Sequence, residues 1–284
     1  MSARKVVLDM DSVLLEQLEA LAIEAAVAAG RLIVGERPGV VAVAATKTSP
    51  TDVVTAMDTA AEDFLREVLR RERPHDALLG EERAISAGES GLTWVLDPID
   101  GTVNYLYGIP QFGVSVAVVT GDPTTVGAWR PVAGAVAHPS VSTVYHARAG
   151  AGAWRRGPDG RDERLTVSTA SSLDAALVGT GFGYRAEQRR AQAEILARVL
   201  PRVRDIRRMG SAALDLCLVA SGRLDVFYEM GLNAWDIAAA WLVVTEAGGV
   251  LRGADGGPPA PGLTLAGPVG LVEELDRLVR AEMT

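Results

Sequence analysis

With 284 residues, 48% of them hydrophobic and 23% charged, the chain can bury a sizeable core and is too apolar to be disordered. Its net charge of −8 disfavours nucleic acid and anionic membranes as general partners, and an anionic substrate would need a cation at its site. One cysteine, Cys217, excludes an internal disulfide and fits a reducing cytosol. No secretory signal or apolar run of roughly 18 residues is present, so a cytoplasmic protein is expected.

Residues 1–12 read as a loose tail. Its apolar run ending Asp9-Met10-Asp11 matches the start of a dehalogenase-type phosphatase motif, but Ser12 stands where that motif needs glycine, and its later lysine and acidic pair are missing. Ser12 is expected to cap a helix reaching about Gly35, with Leu14, Leu15, Leu18, Leu21, Ala22 and Ala25 on one face. Residues 38–50 read as a loop carrying Lys47, one of only two lysines in an arginine-rich chain. A second helix is predicted over 55–73, with Asp58 in its first turn, where the helix dipole favours a carboxylate. Pro74 stops it. A short strand at 77–79 ends in Gly80-Glu81-Glu82, and a hairpin with a strand at 94–96 would set Glu81 beside Asp97. Strands at 114–120, 132–138, 143–147, 152–154 and 165–167 then suggest an antiparallel meander. The rhythm changes near 167: strands at 176–179, 205–207, 224–228 and 263–266 alternate with helices at 185–200, 211–221, 235–247 and from the last strand to about 283. The expected division is 1–167, an N-terminal α+β lobe, and 168–284, a C-terminal α/β lobe.

The apolar run Trp94-Val95-Leu96 stops at Asp97-Pro98-Ile99-Asp100-Gly101-Thr102. Pro98 lacks an N–H, so the segment reads as a turn that directs carboxylates and a carbonyl inward, a hard-oxygen cup suited to Mg²⁺. Glu81 and Asp236 lie at the ends of other predicted elements and complete a set of four carboxylates. Taken alone, Asp236 at the start of a helix would be an ordinary cap. His75, His138 and His146 are too scattered for zinc, so an all-oxygen site for Mg²⁺, or Mn²⁺ in its place, is expected. Gly101 allows a close backbone approach, and a helical turn starting there would offer free N–H groups to a phosphate. The Thr102 hydroxyl with Asp58 is suited to orienting and deprotonating a water.

Five ordered patches, Lys47 to Asp58, Gly80-Glu81-Glu82, Trp94 to Tyr105, Arg208 to Ala213 and Glu229 to Gly249, make the chain resemble the inositol monophosphatase family of Mg²⁺-dependent, Li⁺-sensitive phosphomonoesterases. The resemblance implies an α+β fold of the layered αβαβα sugar-phosphatase type, an antiparallel-sheet lobe followed by an α/β lobe. It also implies a homodimer. Trp129 and Trp154 are apolar side chains at expected strand edges, equally compatible with a core position. By the same resemblance Glu81, Asp97 and the Ile99 carbonyl hold one Mg²⁺. Asp97, Asp100 and Asp236 hold a second, and a third ion sits near Glu81. The Gly101 and Thr102 amides take the phosphate, and Asp58, Thr102 and Glu81 serve the attacking water. Asp100, Gly210, Ser211, Ala212, Glu229 and Asp236 meet the alcohol, while Lys47 rides on a mobile loop. The implied reaction is hydrolysis of a cyclitol or sugar phosphate, inositol monophosphate foremost, without a phosphoenzyme. Fructose-bisphosphatase and histidinol-phosphatase activities share the scaffold, and a non-catalytic regulatory homologue is the alternative outside enzymes. Asn233 stands where animal members often carry histidine.

Overall fold

The computed structural model describes residues 10–47 and 53–281. Residues 1–9 of the expected tail, residues 48–50 of the expected loop and the two that follow it lie outside that range. Helix α1 is Ser12–Gly35. Asp11, not Ser12, caps it by accepting the Val13 N–H at 3.0 Å, and Ser12 is its first helical residue. The stretch read as a loop contains strand β1, Val43–Thr46, paired antiparallel with β2, Val53–Thr55. Helix α2, Ala56–Glu72, follows directly.

Strands β3 (Ala77–Gly80), β4 (Leu92–Asp100), β5 (Gly113–Gly121), β6 (Trp129–His138), β7 (Thr143–Arg148), β8 (Ala153–Arg156) and β9 (Asp162–Arg164) form one sheet in that order. From β4 onward each pairing is antiparallel, as the meander expectation holds; its last strand sits at 162–164 and not 165–167. The expected β3–β4 hairpin is wrong. The two strands are parallel, with Gly80 opposite Leu96. Parallel pairing requires a crossover, and residues 81–91 supply it. A hairpin would have sent Glu81 and Asp97 to opposite ends of the pair; the parallel register sets them side by side.

The second sheet has the order β11-β10-β12-β14-β13, from β10 (Leu177–Thr180), β11 (Asp205–Arg207), β12 (Val226–Glu229), β13 (Val250–Arg252) and β14 (Thr264–Gly267). The short edge strand β13 was not anticipated. Helices α4 (Ala186–Val199), α5 (Ala212–Ala220), α6 (Ala234–Glu246) and α7 (Val269–Arg280) accompany it. Between β4 and β5 lies the short α3, Thr102–Tyr107.

Side-chain alternation along the strands distributes three apolar clusters into five layers. Trp94, Leu96, Val116 and Val118 face α1 and α2. Val95, Ala117, Val119 and Val136 face the other way, where α5 and α6 fill the space up to Phe227 and Ala266 of the second sheet. Val178, Val226 and Leu265 turn outward onto α4 and α7. Trp129 belongs to the middle cluster and meets Trp241 edge-on at 5.0 Å, whereas Trp154 is only partly buried. Among the described residues no helix is long and apolar enough to cross a membrane.

Trp94 is fully buried, and its indole N–H donates to Asp76 at 2.9 Å. Trp94→Phe leaves a void and removes a donor from a buried carboxylate. It is expected to cost about 2–4 kcal/mol of stability, measured by urea unfolding.

Candidate active site

Asp97 lies two residues beyond Val95, so strand alternation points both toward α6. Continued alternation would turn Asp100 to the opposite face. The register between Asp97↔Ser115 and Asp100↔Gly113 instead contains one extra residue on β4. Pro98, which cannot join a hydrogen-bond ladder, stands in this bulge. The bulge sends Ile99 into the cluster under α1 and α2 and returns Asp100 to the face of Asp97. The segment read as a turn is thus the bulged end of a buried strand.

Asp236 reaches the same place from α6. It is the third residue of that helix and not its cap; Asn233 is the cap, and the Asn233 N–H donates to Asp236 at 2.6 Å. Carboxylate oxygens of Asp97, Asp100 and Asp236 lie within 4.8 Å of one another. Burial holds the Asp97 and Asp236 carboxyls well above the usual range, and the surrounding carboxylates, Glu81 and Asp100 among them, push the same way. Asp100 is raised by burial as well, against hydrogen bonds that favour its charge. Ser211 Oγ and the Ala213 N–H donate to it at 2.6 Å each, and the Ala212 N–H at 3.3 Å. Three carboxylate oxygen donors at this spacing, those of Asp97 and Asp100 buried and that of Asp236 half-buried, short of positive charge, fit a hard divalent cation.

Glu81 is not in that close trio. It follows β3, its N–H donating to the Leu96 carbonyl at 3.2 Å, and its carboxylate is engaged by Lys47 Nζ at 2.8 Å. Lys47 also reaches Glu82, at 2.6 Å. Burial raises Glu81 to about 7 despite Lys47. Burial alone would depress the ammonium, but the two glutamates outweigh it and hold Lys47 above its usual range.

Thr102 opens α3. Its hydroxyl lies 3.0 Å from Asp58 Oδ1 and 3.1 Å from the Ile99 carbonyl, so its single proton serves one acceptor at a time. The other Asp58 oxygen accepts the Thr55 N–H at 2.8 Å and the Thr55 hydroxyl, closing a capping box on α2. Gly101 has φ 97°, and a Cβ there would meet the carbonyls of Gln111 and Gly210 at 3.0 Å, so only glycine fits.

Beside the trio is a cavity of about 110 Å³ bordered by Asp100, Asp236, Glu229, Asp215, Phe182 and Arg208. Larger hollows, of about 420, 450 and 360 Å³, flank α1 away from the converging acids. Burial raises Glu229 to about 8, with Asp100 adding to the rise and Arg208 opposing it. Asp215 escaped the sequence reading. It is 1% exposed, also raised to about 8 by burial and then by Glu229 and Asp100, and among the described residues its Oδ1 has no hydrogen-bond partner. The available signal was an aspartate inside the otherwise apolar run 212–220. Asn104 escaped too: its amide donates to the Gln111 carbonyl at 2.6 Å and the Met209 carbonyl at 2.8 Å, tying α3 to the segment before α5.

Layered αβαβα sheets with acids gathered at the end of a strand next to the sheet edge define the sugar-phosphatase class of fold. The chain belongs to the inositol monophosphatase family, whose profile matches residues 14–281. It is 51% identical over 207 residues to the inositol-1-monophosphatase of Mycobacterium bovis, covering 71% of this chain and 69% of that one. To the Nus factor SuhB of Haemophilus influenzae it is 35% identical over 264 residues, 92% and 94% of the two chains. The solved structure of Mycobacterium tuberculosis SuhB superposes with a TM-score of 0.77 at 41% identity, covering 94% of this chain and 96% of that one.

Proposed function

We propose that the chain is a Mg²⁺-dependent phosphomonoesterase that hydrolyses inositol monophosphate to inositol and phosphate. The observation that carries this reading is the convergence of Asp97, Asp100 and Asp236 beside the Thr102–Asp58 pair. Asp97, Asp100 and Asp236, with Glu81 and the Ile99 carbonyl at the neighbouring position, would hold two ions, and a third would sit beside Glu81. Bound there, Mg²⁺ supplies the Lewis-acid charge that the acidic chain lacks toward a phosphate and a water.

The chain's own residues do the rest. The Gly101 and Thr102 amides, at the head of α3, face the phosphate. The Thr102 hydroxyl orients the attacking water, and its proton leads to Asp58 Oδ1, whose partner oxygen is already saturated. Glu229 and Asp100 accept hydroxyls of the cyclitol. Ser211, Ala212 and Ala213 act on that end through Asp100, which they hold in place. Gly210 sets the backbone approach to Gly101. Lys47 keeps Glu81 and Glu82 together against their mutual repulsion.

A second reading, a non-catalytic regulatory protein, draws support from the relative called a Nus factor. The four intact carboxylates and the Thr102–Asp58 pair favour the enzyme. The deciding experiment measures phosphate release with Mg²⁺ from inositol 1-phosphate, fructose 1,6-bisphosphate, histidinol phosphate and an adenosine bisphosphate. Inositol 1-phosphate is expected to turn over best, and EDTA to stop it. Release from another substrate alone corrects the alcohol and keeps the site; release from none favours the regulatory reading.

A further inference from the structure

The segment that carries Glu81 and Glu82 is held by a buried pair outside the acidic cluster. On α2, Asp58, Glu62 and Arg66 follow one another at four-residue spacing and so share a face. Asp58 serves Thr102. Glu62, 0% exposed, accepts the Glu82 N–H on Oε2 at 2.6 Å and Arg66 Nε on Oε1 at 2.7 Å. Arg66, 4% exposed, donates onward to the Arg83 carbonyl at 3.2 Å and the Ala84 carbonyl at 3.1 Å. Position 80 is adapted to this arrangement: a Cβ on Gly80 would come within 2.1 Å of Glu62 Oε1.

A buried ion pair is a poor device for stability, because apolar side chains of the same volume do as well or better. This pair also spends its hydrogen bonds on one target. Four of its contacts run along residues 82–84 or join its two members, directly after the glutamate that the proposed function assigns to the metal. The Glu81 backbone is fixed from the other side by Leu96. We infer that Glu62 and Arg66 are positioning residues that set the Glu81 carboxylate for its cation, acting through the backbone of 82–84. Helix α2 then aligns both halves of the chemistry, Thr102 through Asp58 and Glu81 through Glu62–Arg66. The inference rests on the reading of Glu81 as a ligand.

The test is calorimetric titration of Mn²⁺ alone, with no turnover involved. Wild type, Glu81→Gln and Asp236→Asn first assign the two binding steps. Glu62→Gln has one acceptor oxygen where two donors need one each. It is expected to weaken the Glu81-dependent step by about 10–100-fold, the usual cost of losing a ligand's supporting partner, and to leave the Asp236-dependent step unchanged. An isotherm that overlays wild type, or equal weakening of both steps, overturns the inference. If Glu62→Gln fails to fold by circular dichroism, Arg66→Lys gives the same test, since it keeps the charges and loses the planar fork that reaches two carbonyls. Unchanged binding in Glu81→Gln would instead remove the ligand reading itself.

Discussion

Asp100→Asn is expected to lower phosphate release at saturating Mg²⁺ by more than about 100-fold, beyond the upper cost of losing a mere supporting partner of a metal ligand. The side chains are nearly isosteric, so the bulge in β4 and the start of α5 keep their shape. The amide, however, has one acceptor where the carboxylate has two. Its oxygen can keep Ser211 and Ala213, which both address Oδ2. Its NH₂ then replaces the oxygen that faces Ala212 and the other acids. One negative charge leaves a trio that needs all three to hold a cation, and an N–H donor enters a place meant for acceptors. The metal-free variant should melt no lower than wild type, because the charge removed is buried and pushes the neighbouring Asp97 and Asp236 carboxyls up. Phosphate assays paired with circular dichroism melts read both effects. Near-normal turnover with an intact fold would end the assignment of this site.

The grouping of Asp97, Asp100 and Thr102 as candidate site residues was legible in the sequence because it is local: an apolar strand, two acids, a glycine and a hydroxyl follow one another within nine residues. The bulge was not. Proline and glycine near acids signal a turn, and only the pairing with β5 shows that the chain remains a strand through Pro98. The sense of the β3–β4 pair was misread for a related reason, since a short connection suggests a hairpin while residues 81–91 cross over. Asp236 taken alone looked like a cap, because a helix-start acid is one at most sites, and was grouped with the other acids; its approach to Asp97 depends on how α6 lies between the sheets. Glu62–Arg66 reads from sequence as an ordinary surface pair on a helix, and its burial exists only once residues 82–84 fold over it. The five-layer arrangement was implied by the family resemblance; the change of rhythm near residue 167 by itself pointed only to a second, α/β lobe, and the short strands β1, β2 and β13 carry too few apolar positions for any periodic signal.

Freed of metal, the protein is expected to lose stability as pH rises from about 6 to 8, and Mg²⁺ is expected to cancel most of that loss. Glu81 is held at about 7, and Asp215 and Glu229 at about 8, each raised first by burial. Asp97 and Asp236 are raised as well. For an acid whose pKa is higher folded than unfolded, the folded chain binds more protons between the two values. Stability is then full below the unfolded value, about 4, and declines until pH passes the folded one. Groups that work the other way act elsewhere: the lowered carboxyls of Asp76 and Asp162 titrate below about 4, and the burial-lowered His138 adds stability only up to about 6.5. Each group crossing one pH unit inside its window costs about 1.4 kcal/mol, and a large domain loses roughly 2–4 °C of melting temperature per kcal/mol. A fall of at least about 5 °C between pH 6 and 8 in EDTA is therefore expected by differential scanning fluorimetry. A divalent cation among ionised carboxylates reverses the sign, because it binds the deprotonated folded form alone and so stabilises most where repulsion is greatest. A metal-free melting temperature that stays flat or climbs over this range would mean that the carboxylates do not converge as described. A fall that Mg²⁺ leaves in place would mean that they converge without forming a cation site.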